Sequence, residues 1–116
     1  MTGFENLEVW KEGCRLSVEI YKMLSDCKDH SLRDQMQRAS VSIPSNIAEG
    51  AERQSKKEFI QFLSIAKGSC AELRTQLYIA VKVGMITPEV SSSLTRRCKS
   101  ISGMLQNLIS SLKTQP

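Results

Sequence analysis

The sequence predicts an all-α chain folded as an antiparallel up-down-up-down four-helix bundle. Three observations carry that expectation. Apolar residues recur at intervals of three and four along four long stretches of the chain, the spacing of one buried helix face. The gaps between them hold helix start and stop signals. The two-residue alternation of a half-buried strand is found nowhere. Four long helices with short connections pack most simply as antiparallel neighbours around one core.

The first helix is expected at about residues 6–27. Glu8, Lys11, Glu12, Arg15, Glu19, Lys22 and Asp26 fall in one stripe of mixed sign, a solvated face laced by i,i+3 and i,i+4 pairs. Its remaining positions form two apolar rows, one through Leu7, Trp10, Cys14, Val18, Tyr21 and Leu24, the other through Val9, Gly13, Leu16, Ile20, Met23 and Cys27. One row serves the core, and the other needs a second partner.

Ser31 with Asp34 reads as a capping box opening the second helix, expected at about 31–52. Its core row runs through Leu32, Met36, Ala39, Ile43, Ile47 and Gly50 and passes Pro44 without a change of phase. A mid-helix proline deletes a donor and crowds the carbonyl four residues back, here that of Ser40, at a cost of about 3 kcal/mol if uncompensated. The hydroxyls of Ser40, Ser42 and Ser45 and the amide of Asn46 lie within a turn and are expected to satisfy the freed groups. The stretch reads as a packing or assembly element rather than a catalytic loop.

Ser55 with Glu58 repeats the capping box before the third helix, expected at about 56–84, with a row through Phe59, Leu63, Ala66, Cys70, Leu73, Leu77 and Ala80, closed by Gly84. Thr87 and Pro88 supply an N-cap and a first-turn proline for the fourth helix, expected at about 88–113. Its row is Val90, Leu94, Cys98, Ile101, Leu105, Leu108 and Leu112.

At 116 residues the chain fits a single domain, residues 1–116, large enough to bury roughly two thirds of its unfolded surface without staples. The cysteines Cys14, Cys27, Cys70 and Cys98 show no C-x-x-C pair, and the only histidine, His30, lies off the apolar rows. Zinc binding and thiol redox chemistry are therefore not expected. Cys14, Cys70 and Cys98 read as small core hydrophobes. No apolar run approaches the roughly 20 residues of a membrane span, and no signal pattern opens the chain. A soluble cytoplasmic protein is expected. The net charge of +4 and pI near 9.0 favour polyanions without deciding the partner.

The stretches "LEVWKEGCRLSVEIY", "QMQRASVSIPSNIAEGAERQSKKEF" and "FLSIAKGSCAELRTQL" resemble the four helix bundle proteins, also called 23S rRNA intervening sequence proteins. The string R-A-x-x-S-I-P-x-N-I-A-E-G is the specific element, and the resemblance covers most of the chain to about residue 86. The first connection, "SDCKDHSL", departs from that family's aromatic-proline and glycine-leucine loop. The resemblance implies an antiparallel bundle assembled into a ring, a pentamer, with RNA association suggested by reading frames inside 23S rRNA gene insertions. It implies no enzymatic activity.

The residues agree with that last implication, since no G-x-S-x-G elbow exists and "IAEG" and "AKGS" lack the lysine and spacing of a phosphate loop. Glu49 and Glu52 lie one turn apart without an accompanying E-x-x-H, so a dinuclear metal site is not expected. No cofactor is expected either.

Two surfaces remain as candidates. Val9, Leu16, Ile20 and Met23 of the first helix and Val41, Pro44 and Ala48 of the second are expected to form a contact between copies. Arg53, Lys56 and Lys57 at one end of the bundle, and Arg96, Lys99 and Arg97 nearer the other, are expected to meet nucleic acid through its phosphates. The two basic clusters cannot form one groove on a single chain. The rival expectation is a scaffold that recruits a separate enzyme, such as a reverse transcriptase.

Overall fold

The computed structural model describes residues 3–116. After a short 3-10 turn at Phe4–Asn6 come α1 (Glu8–Met23), α2 (His30–Ala51), α3 (Lys56–Lys82) and α4 (Pro88–Thr114), with no strand among the described residues. α1 packs against α2 and α4, α2 against α3 and α3 against α4, while the backbones of the diagonal pairs stay further apart. This is the expected antiparallel four-helix bundle, an elongated body of 49 × 21 × 21 Å.

Helix ends follow their caps. The Ser55 side chain accepts the Glu58 N–H, and the Thr87 side chain accepts that of Val90 at the start of α4. Gly84, at φ 77°, closes α3 as its N–H bonds the Val81 carbonyl while that of Met85 reaches Ala80 at 2.8 Å. That pair of bonds is the glycine-closed motif in which a left-handed residue satisfies the last carbonyls. α2 begins earlier than Ser31 suggests, because Asp29 is its cap and accepts the Leu32 N–H at 3.1 Å. Asp and Ser cap equally well, so preference alone cannot choose between sites two residues apart. α1 stops at Met23, and Ser25 donates its hydroxyl to the Lys22 carbonyl in the turn that follows.

The core follows the rows read from α2, α3 and α4, with Ile109 added and with Leu32, Phe59 and Leu108 half-buried against it. Val90, expected on the α4 row, is instead 38% exposed in the first turn of that helix. In α1 the row expected at an interface turns inward. Leu16 and Ile20 are 0% exposed and Val9 is 5% exposed, while Met23 is half-buried against the same core. The opposite row instead presents Val18, 52% exposed, and Tyr21, 47% exposed. The cause is Gly13. A Cβ there would stand 3.3 Å from both Ile43 Cγ2 and Pro44 Cδ, so the glycine row lets α1 settle onto α2.

Pro44 belongs to that same contact. It is buried rather than outward, so the patch expected from Val41, Pro44 and Ala48 is split, with Val41 exposed and Ala48 half-buried. α2 continues through it as one helix. The neighbouring polar side chains link helices: Ser17 Oγ lies 3.2 Å from Ser40 Oγ, and Ser42 Oγ lies 2.9 Å from Ser69 Oγ. Asn46 donates to the Ser42 carbonyl at 2.7 Å and Ser40 donates to that of Gln37. Among the described residues none of these side chains donates to the Ser40 carbonyl, so they stitch α1, α2 and α3 together rather than replace the bond that proline removes.

Candidate functional site

The α2–α3 turn carries three of the cations expected to bind phosphate, and two of them are occupied. Arg53 pairs with Glu49 at 3.0 Å and approaches Glu58 at 4.0 Å, with its guanidinium 4.9 Å from the Phe62 ring centroid. Lys56 Nζ donates to the Gln115 and Pro116 carbonyls at 2.9 and 3.0 Å. Lys57 is exposed and has no carboxylate within ion-pair distance among the described residues. Glu49 and Glu52 share the adjoining hollow with Arg53. The turn is therefore a mixed-charge surface rather than a uniform positive collar.

The Lys56 contact also fixes the end of the bundle at which α4 finishes. Arg96 lies seventeen residues before Lys113, or about 25 Å along a helix at 1.5 Å per residue. The two basic clusters stand apart on one chain, as expected from the topology.

The second cluster divides by side. Arg97 turns into a hollow shared with Glu19 and Met23 of α1. Arg96 and Lys99 face α3, where they line a groove of about 370 Å³ with Tyr78, Lys82, Pro88, Ser92 and Thr95. Among the described residues no carboxylate lines this groove. Ser92 Oγ accepts from Arg96 at 3.2 Å, and the Ser91 hydroxyl reaches the Leu77 carbonyl at 3.5 Å, tying the start of α4 to α3. Lys82 Nζ stands 5.4 Å from the Tyr78 ring centroid. Tyr78 is 64% exposed.

The groove sits on the basic half of the molecule. Residues 56–114, which make α3 and α4, hold nine Lys and Arg against three Asp and Glu, a balance of +6. Residues 1–55 hold seven against nine, a balance of −2. Because α3 and α4 are neighbours in the bundle, the division in sequence becomes a division between sides. Lys82 escapes a search for clustered cations, since it stands alone in sequence, and the half-by-half charge count is the signal that points to its side of the molecule; no such signal singles out Tyr78.

His30 is exposed at the start of α2, and among the described residues no three His, Cys, Asp or Glu side chains gather as metal ligands. Desolvation pushes the buried thiols of Cys70 and Cys98 up to about 11 and about 12, away from the thiolate a nucleophile requires. What the groove can do is hold an anion beside an aromatic face. Cations, hydroxyls and an exposed ring are the groups that recognise a nucleotide chain.

Residues 5–107 match the sequence profile of the 23S rRNA-intervening sequence protein family. A crystal structure of a protein of unknown function from the S23 ribosomal protein family of Bacteroides thetaiotaomicron is similar in fold, with a TM-score of 0.82 and 28% identity. The match covers 87% of this chain and 97% of that one. No curated protein matches the chain.

Proposed function

The chain belongs to the 23S rRNA-intervening sequence protein family, and on that premise we propose that it is a non-enzymatic, self-associating bundle that binds RNA through its α3–α4 side. The observation that carries this reading is the division of charge, +6 over residues 56–114 against −2 over residues 1–55. A modest net charge becomes effective when its cations share one side, because each neutralised phosphate releases condensed counterions. The contacts are to phosphate and sugar, which position a protein on a nucleic acid without reading its sequence.

Self-association uses the other side. Val18, Tyr21 and Val41 are exposed large apolar residues on α1 and α2, and a contact between copies there leaves the basic side free. A closed ring would repeat the basic surface around its axis. The same apolar residues are what a scaffold for a separate enzyme would use, so the two readings part at RNA.

The test is a fluorescence-anisotropy titration of RNA at two salt concentrations. Wild-type affinity should fall with salt with a log-log slope of roughly 0.7 per phosphate contact on a single strand. Reversing Lys82, Arg96 and Lys99 to glutamate should weaken binding at least tenfold and flatten the slope, with helicity and oligomer size unchanged. Reversing Arg53, Lys56 and Lys57 should cost less, since two of those cations already have partners. Absence of salt-dependent binding by the wild type would overturn the RNA reading in favour of the scaffold.

A further inference from the structure

We propose that Tyr78 is a nucleobase-stacking platform, with Lys82, Arg96 and Lys99 holding the phosphates beside it, so that the α3–α4 groove selects single-stranded RNA over duplex. This rests on the RNA reading and goes beyond it, because phosphate contacts alone would accept either form.

Tyr78 stands on α3 one residue past Leu77, which is buried in the core. A core role would require the ring to fold inward, yet it is 64% exposed. Its ring instead lines the groove together with the three cations. Lys82, one helical turn further on, holds its ammonium over one face of the ring at 5.4 Å, so a base stacks on the opposite face or takes the place of the ammonium, with the cation beside it in either case. Arg96 is held by Ser92 through one nitrogen, and a guanidinium retains further donors for phosphate oxygens.

Size and chemistry favour a single strand. A groove of about 370 Å³ lies at the lower end of the roughly 300–1,000 Å³ range of small-ligand clefts. It has the scale of one nucleotide, not of a helix. A paired base in a duplex has its faces already stacked and offers no face to a tyrosine, whereas an unpaired base can splay out onto it. The hydroxyls of Ser92 and Thr95 on the groove wall are groups able to exchange hydrogen bonds with a ribose 2′-hydroxyl, the feature that separates RNA from DNA.

The experiment compares wild type, Tyr78→Ala, Tyr78→Trp and the Lys82, Arg96 and Lys99 charge reversal. The ligands are a 12-nucleotide single-stranded RNA, the matching single-stranded DNA and an RNA duplex of the same length. Stacking contributes about 1–3 kcal/mol per base, so Tyr78→Ala should weaken single-stranded RNA binding by roughly five- to hundredfold. Tyr78→Trp should retain it, duplex binding should not change, and the salt slope should stay that of the wild type. Single-stranded DNA should bind more weakly than RNA. If Tyr78→Ala binds the single strand as wild type does while the charge reversal fails, the platform falls and the RNA reading stands. Equal loss on strand and duplex would also overturn stacking. A wild type that binds no RNA overturns both, and Tyr78-dependent binding of a polyglutamate peptide would then assign the groove to an acidic protein.

Discussion

Cys70 and Cys98 show how one side chain's chemistry follows from its place on a row. Both lie on the faces that α3 and α4 turn inward, with 1% and 0% exposure. Burial raises Cys70 from the ordinary 9.0 to about 11, tempered by Arg74 and Lys67, and raises Cys98 to about 12 with a further contribution from Cys70. A thiol whose folded value is raised keeps its proton while the unfolded chain releases one. Its stabilising effect is therefore complete below about pH 9 and is lost as pH rises toward 11–12. The urea midpoint should decline from about pH 9 upward, with a shallower decline in Cys98→Ala. Native alkylation at pH 8 should modify the half-buried Cys27 first and leave Cys70 and Cys98 protected; rapid labelling of all four cysteines would contradict this packing. The core role of these thiols was legible because periodicity places a residue on a face. Tyr78 was not, since adjacent positions on a helix differ by about 100° and a single aromatic can fall on either side of the boundary between core and groove.

Between elements, close approach is governed by glycine. A Cβ on Gly50 would lie 2.6 Å from Phe62 Cβ and 3.0 Å from Phe59 Cδ1, so α2 and α3 meet there with no room for a methyl group. Phe62 Cβ is fixed to its backbone and cannot swing aside. Gly50→Ala should therefore destabilise the protein by about 1–3 kcal/mol through overpacking, outweighing the helix propensity that alanine brings. Gly68, also within a helix, has nothing within 4 Å of the same position. Gly68→Ala should instead stabilise by about 0.5–1 kcal/mol, because only the backbone-entropy term changes. Thermal melts of the two variants should move in opposite directions, and a rise in melting temperature for Gly50→Ala would refute the tight α2–α3 contact. The elements themselves were legible from caps and rows, as Ser55, Thr87 and Gly84 demonstrate. The choice between the two rows of α1 was not, because both are equally apolar. Gly13 decides it through a contact with Pro44 that spacing along one helix does not contain.

For the whole molecule, the same inversion of α1 determines where copies can meet. Ile20 is 0% exposed, so Ile20→Glu should unfold the chain and report nothing about assembly. Val18 and Tyr21, 52% and 47% exposed, are the residues whose change tests it. On the proposed assembly, Val18→Glu with Tyr21→Glu should yield smaller species in sedimentation velocity while leaving helicity intact. A wild type that sediments as a monomer at micromolar concentration would overturn self-association. The variant separates assembly from recognition, because the Tyr78 groove lies on α3 and α4, away from the substituted face. Linked sites convert later binding events into intramolecular ones, and avidity can exceed single-site affinity by about 10²–10⁴. RNA long enough to bridge subunits should thus lose affinity on dissociation of the assembly, whereas a strand that fills one groove should bind the dissociated variant as it binds wild type. Loss of both would mean that the groove is completed by a neighbouring copy, and loss of neither would mean that each chain acts alone.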